Sequence, residues 1–280
     1  MSRLFSLTST PGIDTPAVRW LSGQRWEEAV PRRASTVMLV RDRRPDGGGG
    51  IEVFMLRRVS HMAFAPNSMV FPGGGVDPRD GEEDLPWAGP SPGDWAQRLR
   101  CTPAQAQMLV AAAVREVFEE CGVLFAGDAA TGPLADVRVD RWRAARDALI
   151  GREVSLGHVL RTHGLLLRSD LMVAKAHWIT PRFEPRRFDT WFFAARMPEH
   201  QVADGDTSEA DRAEWVQPVR LIESYAAGTA LMLPPTVVCV EEIRDAASAA
   251  EFVSHADNLP CIMPDVIDTP DGPAMRLVEA

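Results

Sequence analysis

Residues 115–123 read REVFEECGV, and three of the first six are glutamates: Glu116, Glu119 and Glu120. On a helix such spacing puts like charges at i, i+3 and i+4, where each pair repels by about a few tenths of a kcal/mol. They also fall in the C-terminal half of the helix, where the macrodipole disfavours anions, and only Arg115 stands close enough to offset them. Two readings are open at this point. One is a solvated acidic face, which is common. The other is a carboxylate set for a divalent cation such as Mg²⁺, which takes one or two carboxylates, keeps water and shares phosphate oxygens. Such ions neutralise charge and activate water.

The elements that would position these residues are legible. Val110, Val114, Val117, Phe118 and Cys121 form one apolar stripe, with the glutamates roughly opposite. Thr102 caps, Pro103 suits the first helical position, Gln105 completes a capping box and Gly122 suits the stop. Upstream, residues 35–40, 51–58 and 68–75 read as strands, the last running into the glycine turn of FPGGG. Residues 77–101 are rich in Pro, Gly and acids and read as a surface excursion pinned by Trp87 and Trp95. Helices are expected over 134–150, 153–163, 219–228 and 236–248, and strands over 175–180, 190–197 and 214–218. This mixed order favours an α+β layered fold over a doubly wound one. One domain over residues 1–280 is expected, with a helical segment at about 134–170. The C-terminal CIMPDVIDTPDGPAMRLVEA suggests no role.

Composition removes several classes. A net charge of −9 argues against nucleic-acid binding and against an anionic membrane surface. Cys101, Cys121, Cys239 and Cys261 form no CxxC pair and have no histidine at ligand spacing, so neither zinc nor a disulfide framework is expected. No run approaches the roughly 18 apolar residues of a membrane span, and the first residues lack a signal-type apolar core. A cytoplasmic protein is expected, with a homodimer as the open default for its assembly.

The residues around the acidic helix resemble the Nudix hydrolase signature, Gly-x5-Glu-x7-Arg-Glu-U-x-Glu-Glu-x-Gly-U, where U is a bulky aliphatic. REVFEECGV matches every fixed position of the second half. The first half is altered: Glu82 follows Gly74 with seven residues between, and 32 residues separate Glu82 from Arg115, with Gln107 where an uninterrupted box has its first glutamate. Residues 77–101 therefore look like an insertion in the box. That insertion, with MLRRVSHMAFAPNSMVFPGG, WITPRFEPRRFDTWFF and LMLPPT, resembles the coenzyme A diphosphatase branch, over about residues 35–245.

The resemblance implies a Nudix fold, an α/β/α sandwich around a mixed sheet, and attack of water on phosphorus in a nucleoside diphosphate linked to another moiety. It implies Glu116, Glu119 and Glu120 as metal ligands for Mg²⁺, with Mn²⁺ second, and Arg115 as the group that orients them. The general base would be a ligand glutamate, Glu119, or a carboxylate from a later loop, Glu209. CoA or acyl-CoA is the expected substrate, the alternatives being NADH, ADP-ribose, dinucleoside polyphosphates, or an inactive nucleotide-binding module. For substrate contacts, the glycine turn offers Gly74, and Arg186 and Arg187 could clamp a phosphate. Strand alternation lets one of Arg57 and Arg58 face the site, and Arg57 is taken as the contact. Phe64 and Trp191 read as packing rather than stacking residues, and His61 as a surface residue.

Overall fold

Residues Ser2–Ser6 extend as β1 and Asp14–Leu21 coil as α1 before the chain enters its central sheet. The computed structural model describes residues 2–7, 14–43, 49–62, 65–128, 132–134, 136–254 and 259–278. β2 (Arg32–Asp42) and β3 (Ile51–Arg58) form an antiparallel pair with Val40 opposite Val53. Their unbroken apolar runs reflect burial on both faces: Val37, Met38, Leu39 and Val40 have no exposed surface. The short β4 (Met69–Val70) pairs with β3, and β5 (Gly73–Gly75) pairs with β2, setting Gly74 opposite Ser35.

The Pro- and Gly-rich excursion holds a 3₁₀ turn (Pro78–Gly81), the strand β6 (Trp87–Ala88) and the helix α2 (Pro92–Leu99). Trp95 of α2 is fully buried and meets Phe193 edge-on, with ring centroids 5.8 Å apart. α3 (Pro103–Cys121) starts as the sequence indicates: Thr102 Oγ1 accepts from Gln105 N, and Thr102 N donates to Gln105 Oε1. It stops at Gly122, whose φ of 66° is one that glycine adopts freely.

β7 (Ala126–Asp128), β8 (Gly132–Pro133), α4 (Asp140–Ile150), α5 (Leu156–Thr162) and β9 (Leu166–Arg168) follow. Both helices are shorter than their apolar periodicity suggested. Between them Gly151 closes α4, and Arg152 turns to a φ of 59°. β6, β9, β7 and β8 form a small four-stranded sheet. The chain then returns to the central sheet through β10 (Met172–Ile179), β11 (Phe188–Arg196) and β12 (Ala210–Val216).

After α6 (Pro218–Ala226) comes α7 (Pro234–Asp245), which ends at an extended Ala246, with α8 (Ala249–Ser254) beyond. The C-terminal segment supplies β13 (Cys261–Ile262) beside β10, and the hairpin of β14 (Asp265–Thr269) and β15 (Gly272–Val278). β15 also takes β1 as its other neighbour.

The central sheet is mixed, in the order β12-β3-β2-β11-β10-β13, with β2 and β11 parallel. Alternate residues face opposite sides. Val37, Leu39, Phe54 and Phe193 pack with Trp95, Val110, Val114 and Phe118 of α2 and α3. Met38, Val40, Met55 and Phe192 pack with Val237, Val240, Ile243 and Phe252 of α7 and α8. Helices thus cover both faces of the sheet, the α+β layering expected. Among the described residues no helix is long and apolar enough to cross a membrane.

Truncation should separate the two things that hold α3. Thr102→Ala removes a cap and should lower stability by about 1 kcal/mol. Phe118→Ala empties a fully buried site and should cost about 3–5 kcal/mol. Urea denaturation of the two variants measures both.

Candidate active site

α3 is held against the central sheet by Ser35 Oγ, which donates to the Leu109 carbonyl at 2.7 Å. Its acidic side then meets the glycine turn. Gly73 N donates to Glu120 Oε2 at 2.8 Å. A Cβ on Gly74 would stand 2.5 Å from Glu116 Oε1, and one on Gly73 would stand 2.4 Å from the Ser35 carbonyl. Only a turn without side chains lets the helix carboxylates approach the strand so closely. The glutamates do not form a solvated face: Glu116 and Glu120 are buried, and Glu119 is largely covered.

Arg115 lies at the centre. Its Nε and Nη2 donate to Asp80 Oδ1 and Oδ2 at 2.9 and 3.1 Å. Nη1 donates to Glu116 Oε1 at 2.7 Å and makes longer, 3.4 Å contacts with both Glu119 oxygens. Nη2 also donates to the Gly75 carbonyl at 2.8 Å. One guanidinium thus joins the excursion, the glycine turn and two helix carboxylates. Burial works against its charge, but the bond to Asp80 and the charges of Glu116, Asp80 and Glu119 outweigh it and raise its pKa.

Asp80 is the residue that reading the sequence missed. It stands after Gly74 with five residues between, the spacing that the box gives its first glutamate, but with a carboxylate one methylene shorter. The signal was present once an aspartate is allowed there. Asp80 is 2% exposed and also accepts from Asp77 N at 2.8 Å, which locks the 3₁₀ turn. Glu82 points elsewhere, to Arg161 at 2.9 Å, while Gln107 Nε2 donates to its backbone carbonyl.

The cluster gathers four acids, and burial disfavours the charge on each. Burial pushes Glu116 up to about 7, against the pull of Arg115. It pushes Glu119 upward in the same way. Glu120 is raised well above the usual range, first by burial and then by the charge of Glu116, while the Gly73 N–H opposes the shift. Asp80 too is raised by burial against Arg115. These hard oxygen donors suit a divalent cation. Among the described residues no three His, Cys, Asp or Glu side chains already converge as a cage. Glu116 and Glu119 are turned to Arg115 and Glu120 to Gly73. The donor set fits a metal in kind, and a cation would compensate the negative charge of its ionised carboxylates.

Glu116, Glu119, Gly74 and Glu209 line one cleft of about 1100 Å³. Glu209 is exposed at the start of the β12 segment, its carbonyl accepting from Val59 N at 3.1 Å, and its charge reaches Glu120. The expected arginine contacts need correction. Arg57 leaves the cleft and makes a two-pronged pair with Asp211 at 2.7 and 3.0 Å. Arg58 lines the cleft instead, and its charge favours ionised Glu120. Arg187 is buried and spends its guanidinium on the carbonyls of Thr180 and Ala29, at 3.0 and 3.1 Å. Arg186 is exposed and does not line the cleft. The basic side chains that do line it are Arg32, Arg33, Arg58, Arg79, Arg115 and Arg152. Trp191 stacks on His177 at 3.9 Å as packing, His61 is exposed, and Phe64 lies outside the described residues.

A second missed residue lines the same cleft. Glu184, in the β10–β11 connection, is 4% exposed, and its Oε1 has no hydrogen-bond partner. Burial alone pushes its carboxyl up to about 7. Arg182, Arg186 and Arg187 flank it in sequence and would suggest pairing, yet Arg182 and Arg187 turn to Glu28.

The NUDT19 Nudix domain family matches residues 95–243 of this chain. Over 185 residues the chain is 28% identical to a Caenorhabditis elegans protein carrying the name nudix hydrolase 7, covering 66% of this chain and 53% of that one. Over 246 residues it is 26% identical to human acyl-coenzyme A diphosphatase NUDT19, covering 75% and 64% respectively. The chain thus spans between half and two thirds of the length of these curated relatives. A crystal structure of a NUDIX hydrolase from Alicyclobacillus acidocaldarius aligns with a TM-score of 0.68 at 25% identity, covering 83% of this chain and 99% of the other.

Two outcomes check this geometry. Asp80→Ala strands a buried arginine and should cost about 3–5 kcal/mol in chemical denaturation, whereas Glu82→Ala, which breaks a partly exposed pair, should cost under about 1 kcal/mol. Glu184 takes up a proton on folding between its ordinary value of 4.5 and about 7. Its burial therefore costs little below pH 4.5, progressively more as pH rises to 7, and on the order of 3 kcal/mol above. Glu184→Gln should melt with the parent protein at pH 4 and clearly above it at pH 8 in thermal scans.

Proposed function

The chain belongs to the Nudix hydrolases, in the group described by the NUDT19 Nudix domain, and on that footing we propose that it is a divalent-metal-dependent pyrophosphohydrolase acting on CoA or acyl-CoA. The observation that carries this reading is the carboxylate cluster organised by Arg115 beside the Gly73–Gly75 turn, opening on a cleft large enough for a nucleotide conjugate. Nudix hydrolases generally use divalent metals. Here Glu116, Glu119 and Glu120 would hold Mg²⁺, with Mn²⁺ as second candidate. When bound, the metal supplies charge neutralisation at the diphosphate and a more acidic water.

The chain's own residues do the rest. Gly74 lines the cleft and, lacking a side chain, leaves room for the Glu116 carboxylate against the turn. Arg58, Arg32 and Arg33 offer positive charge to phosphate oxygens along the cleft. Glu209 at the rim, or Glu119, takes the proton from the attacking water. Arg115 is a positioning residue: its donors are committed to Asp80, Glu116, Glu119 and Gly75, and it acts by holding the glutamates. CoA would be cleaved to 4′-phosphopantetheine and adenosine 3′,5′-bisphosphate. Two features favour CoA: the name of the human relative, and cleft walls with apolar stretches that include Phe71, Ile150, Leu233 and Pro234, suited to an acyl-pantetheine arm.

The test is a product assay with CoA, acyl-CoA, NADH, ADP-ribose and a dinucleoside polyphosphate, each with Mg²⁺ and Mn²⁺. CoA or acyl-CoA should be fastest. Glu119→Gln and Glu120→Gln should each lower kcat by at least about 100-fold without lowering the melting temperature, and chelation should stop turnover. Full turnover after chelation would contradict the reading. A faster rate on NADH or ADP-ribose would move it to another substrate, and tight binding without hydrolysis under either metal would make the protein a nucleotide-binding module.

A further inference from the structure

The end of β10 and the β10–β11 connection carry two polar groups that the mechanism leaves unused. Glu184 is buried, and its Oε1 has no partner. Trp178, at the end of β10, is 3% exposed, and its Nε1–H has no acceptor. Both residues line the cleft that also holds Glu116 and Glu119. Buried polar atoms are rarely left unsatisfied, and those that are call for an explanation. Of the nine such side-chain atoms among the described residues, three belong to residues that line this cleft, on Glu184, Trp178 and Arg58, and a ligand there would complete them.

We propose that Glu184 and Trp178 form the subsite for the substrate's adenine, with Glu184 accepting a hydrogen bond from the exocyclic amine. This rests on the pyrophosphohydrolase reading for the identity of the cleft and names the residues that select the base within it. The chemistry matches in three ways. An unpartnered carboxyl oxygen needs an N–H donor, and adenine presents two on its amine. An unpartnered indole N–H needs an acceptor, and adenine's ring nitrogens supply one. The wall here is aromatic, with Trp178 of β10 and Phe188 of β11 on either side of the loop, which suits a flat base rather than a flexible pantetheine arm.

That no cation is paired with Glu184 among the described residues supports the assignment. No hydrogen bond or ion pair ties Glu184 to the flanking arginines: Arg187 is committed to backbone carbonyls and Glu28, and Arg182 to Glu28. Burial is the sole cause that raises its carboxyl to about 7. Near neutrality a large share of the group is therefore uncharged and can hydrogen-bond to a neutral base. A residue placed to clamp phosphate would be a cation. A structural carboxylate would be paired.

Calorimetric titration tests this with ADP and with purine riboside 5′-diphosphate, which lacks only the exocyclic amine, both in excess Mg²⁺. The wild type should bind ADP about tenfold more tightly than the analogue. Glu184→Met should remove that preference by weakening ADP alone. Glu184→Gln, whose amide oxygen still accepts, should keep it. The Met variant removes a buried unpartnered carboxyl, so its melting temperature should not fall. A preference for ADP that persists in Glu184→Met, or a wild type with none, overturns the subsite. If the preference follows Glu184 but CoA is not cleaved, the subsite stands and the CoA reading falls. If CoA is cleaved and no preference exists, the reverse holds.

Discussion

A single guanidinium buried among four carboxylates is the constraint on which this structure turns. Arg115 meets Asp80, Glu116 and Glu119 directly, and Glu120 lies one turn further on. Arg115 alone does not offset the cluster, and burial raises the pKa of all four acids, with Arg58 and Arg79 adding positive charge nearby. Such an arrangement is unfavourable in isolation, because buried charge is tolerated only when it is paired and hydrogen-bonded. A divalent cation held by Glu116, Glu119 and Glu120 would remove the imbalance and would supply positive charge to a diphosphate in the cleft. On the proposed reading, the crowding that is unfavourable without a counter-charge would favour a bound cation.

The fold exists around this cluster in a direct sense. α3 is buried over most of its circumference, by the central sheet on one side and by the excursion and glycine turn on the other. Its glutamates cannot rotate into bulk water without unpacking it. The glycine turn admits them because it has no side chains to obstruct. The excursion supplies Asp80, so the stretch that interrupts the family's usual spacing also restores the partner that Arg115 requires. The loops at the ends of β10, β11 and β12 complete the cleft with Glu184 on one wall and Glu209 at the rim.

The cap at Thr102, the stop at Gly122 and the glutamate spacing are local features, and local features are legible. Asp80 was obscured by an expectation about residue type, since the five-residue offset from Gly74 was there to be counted. Alternation allowed one of Arg57 and Arg58 to face the cleft but could not say which. That is decided by the register with β12, where an irregularity between Ala210 and Arg212 frees Arg57 to pair with Asp211. Arg187 looked like a phosphate ligand because its long-range carbonyl partners leave no trace in the local sequence. The C-terminal hairpin has a readable Pro-Asp-Gly turn, but β15 takes β1, at the other end of the chain, as its neighbour.

Manganese titration followed by electron paramagnetic resonance, with and without a non-hydrolysable ADP analogue, addresses the cluster most directly. If the buried carboxylates hold the ion, the wild type binds Mn²⁺ more tightly with the analogue present, and a Glu116→Gln, Glu119→Gln, Glu120→Gln triple variant loses that bound signal while remaining folded. Mn²⁺ binding of undiminished affinity and number in the folded triple variant would contradict it.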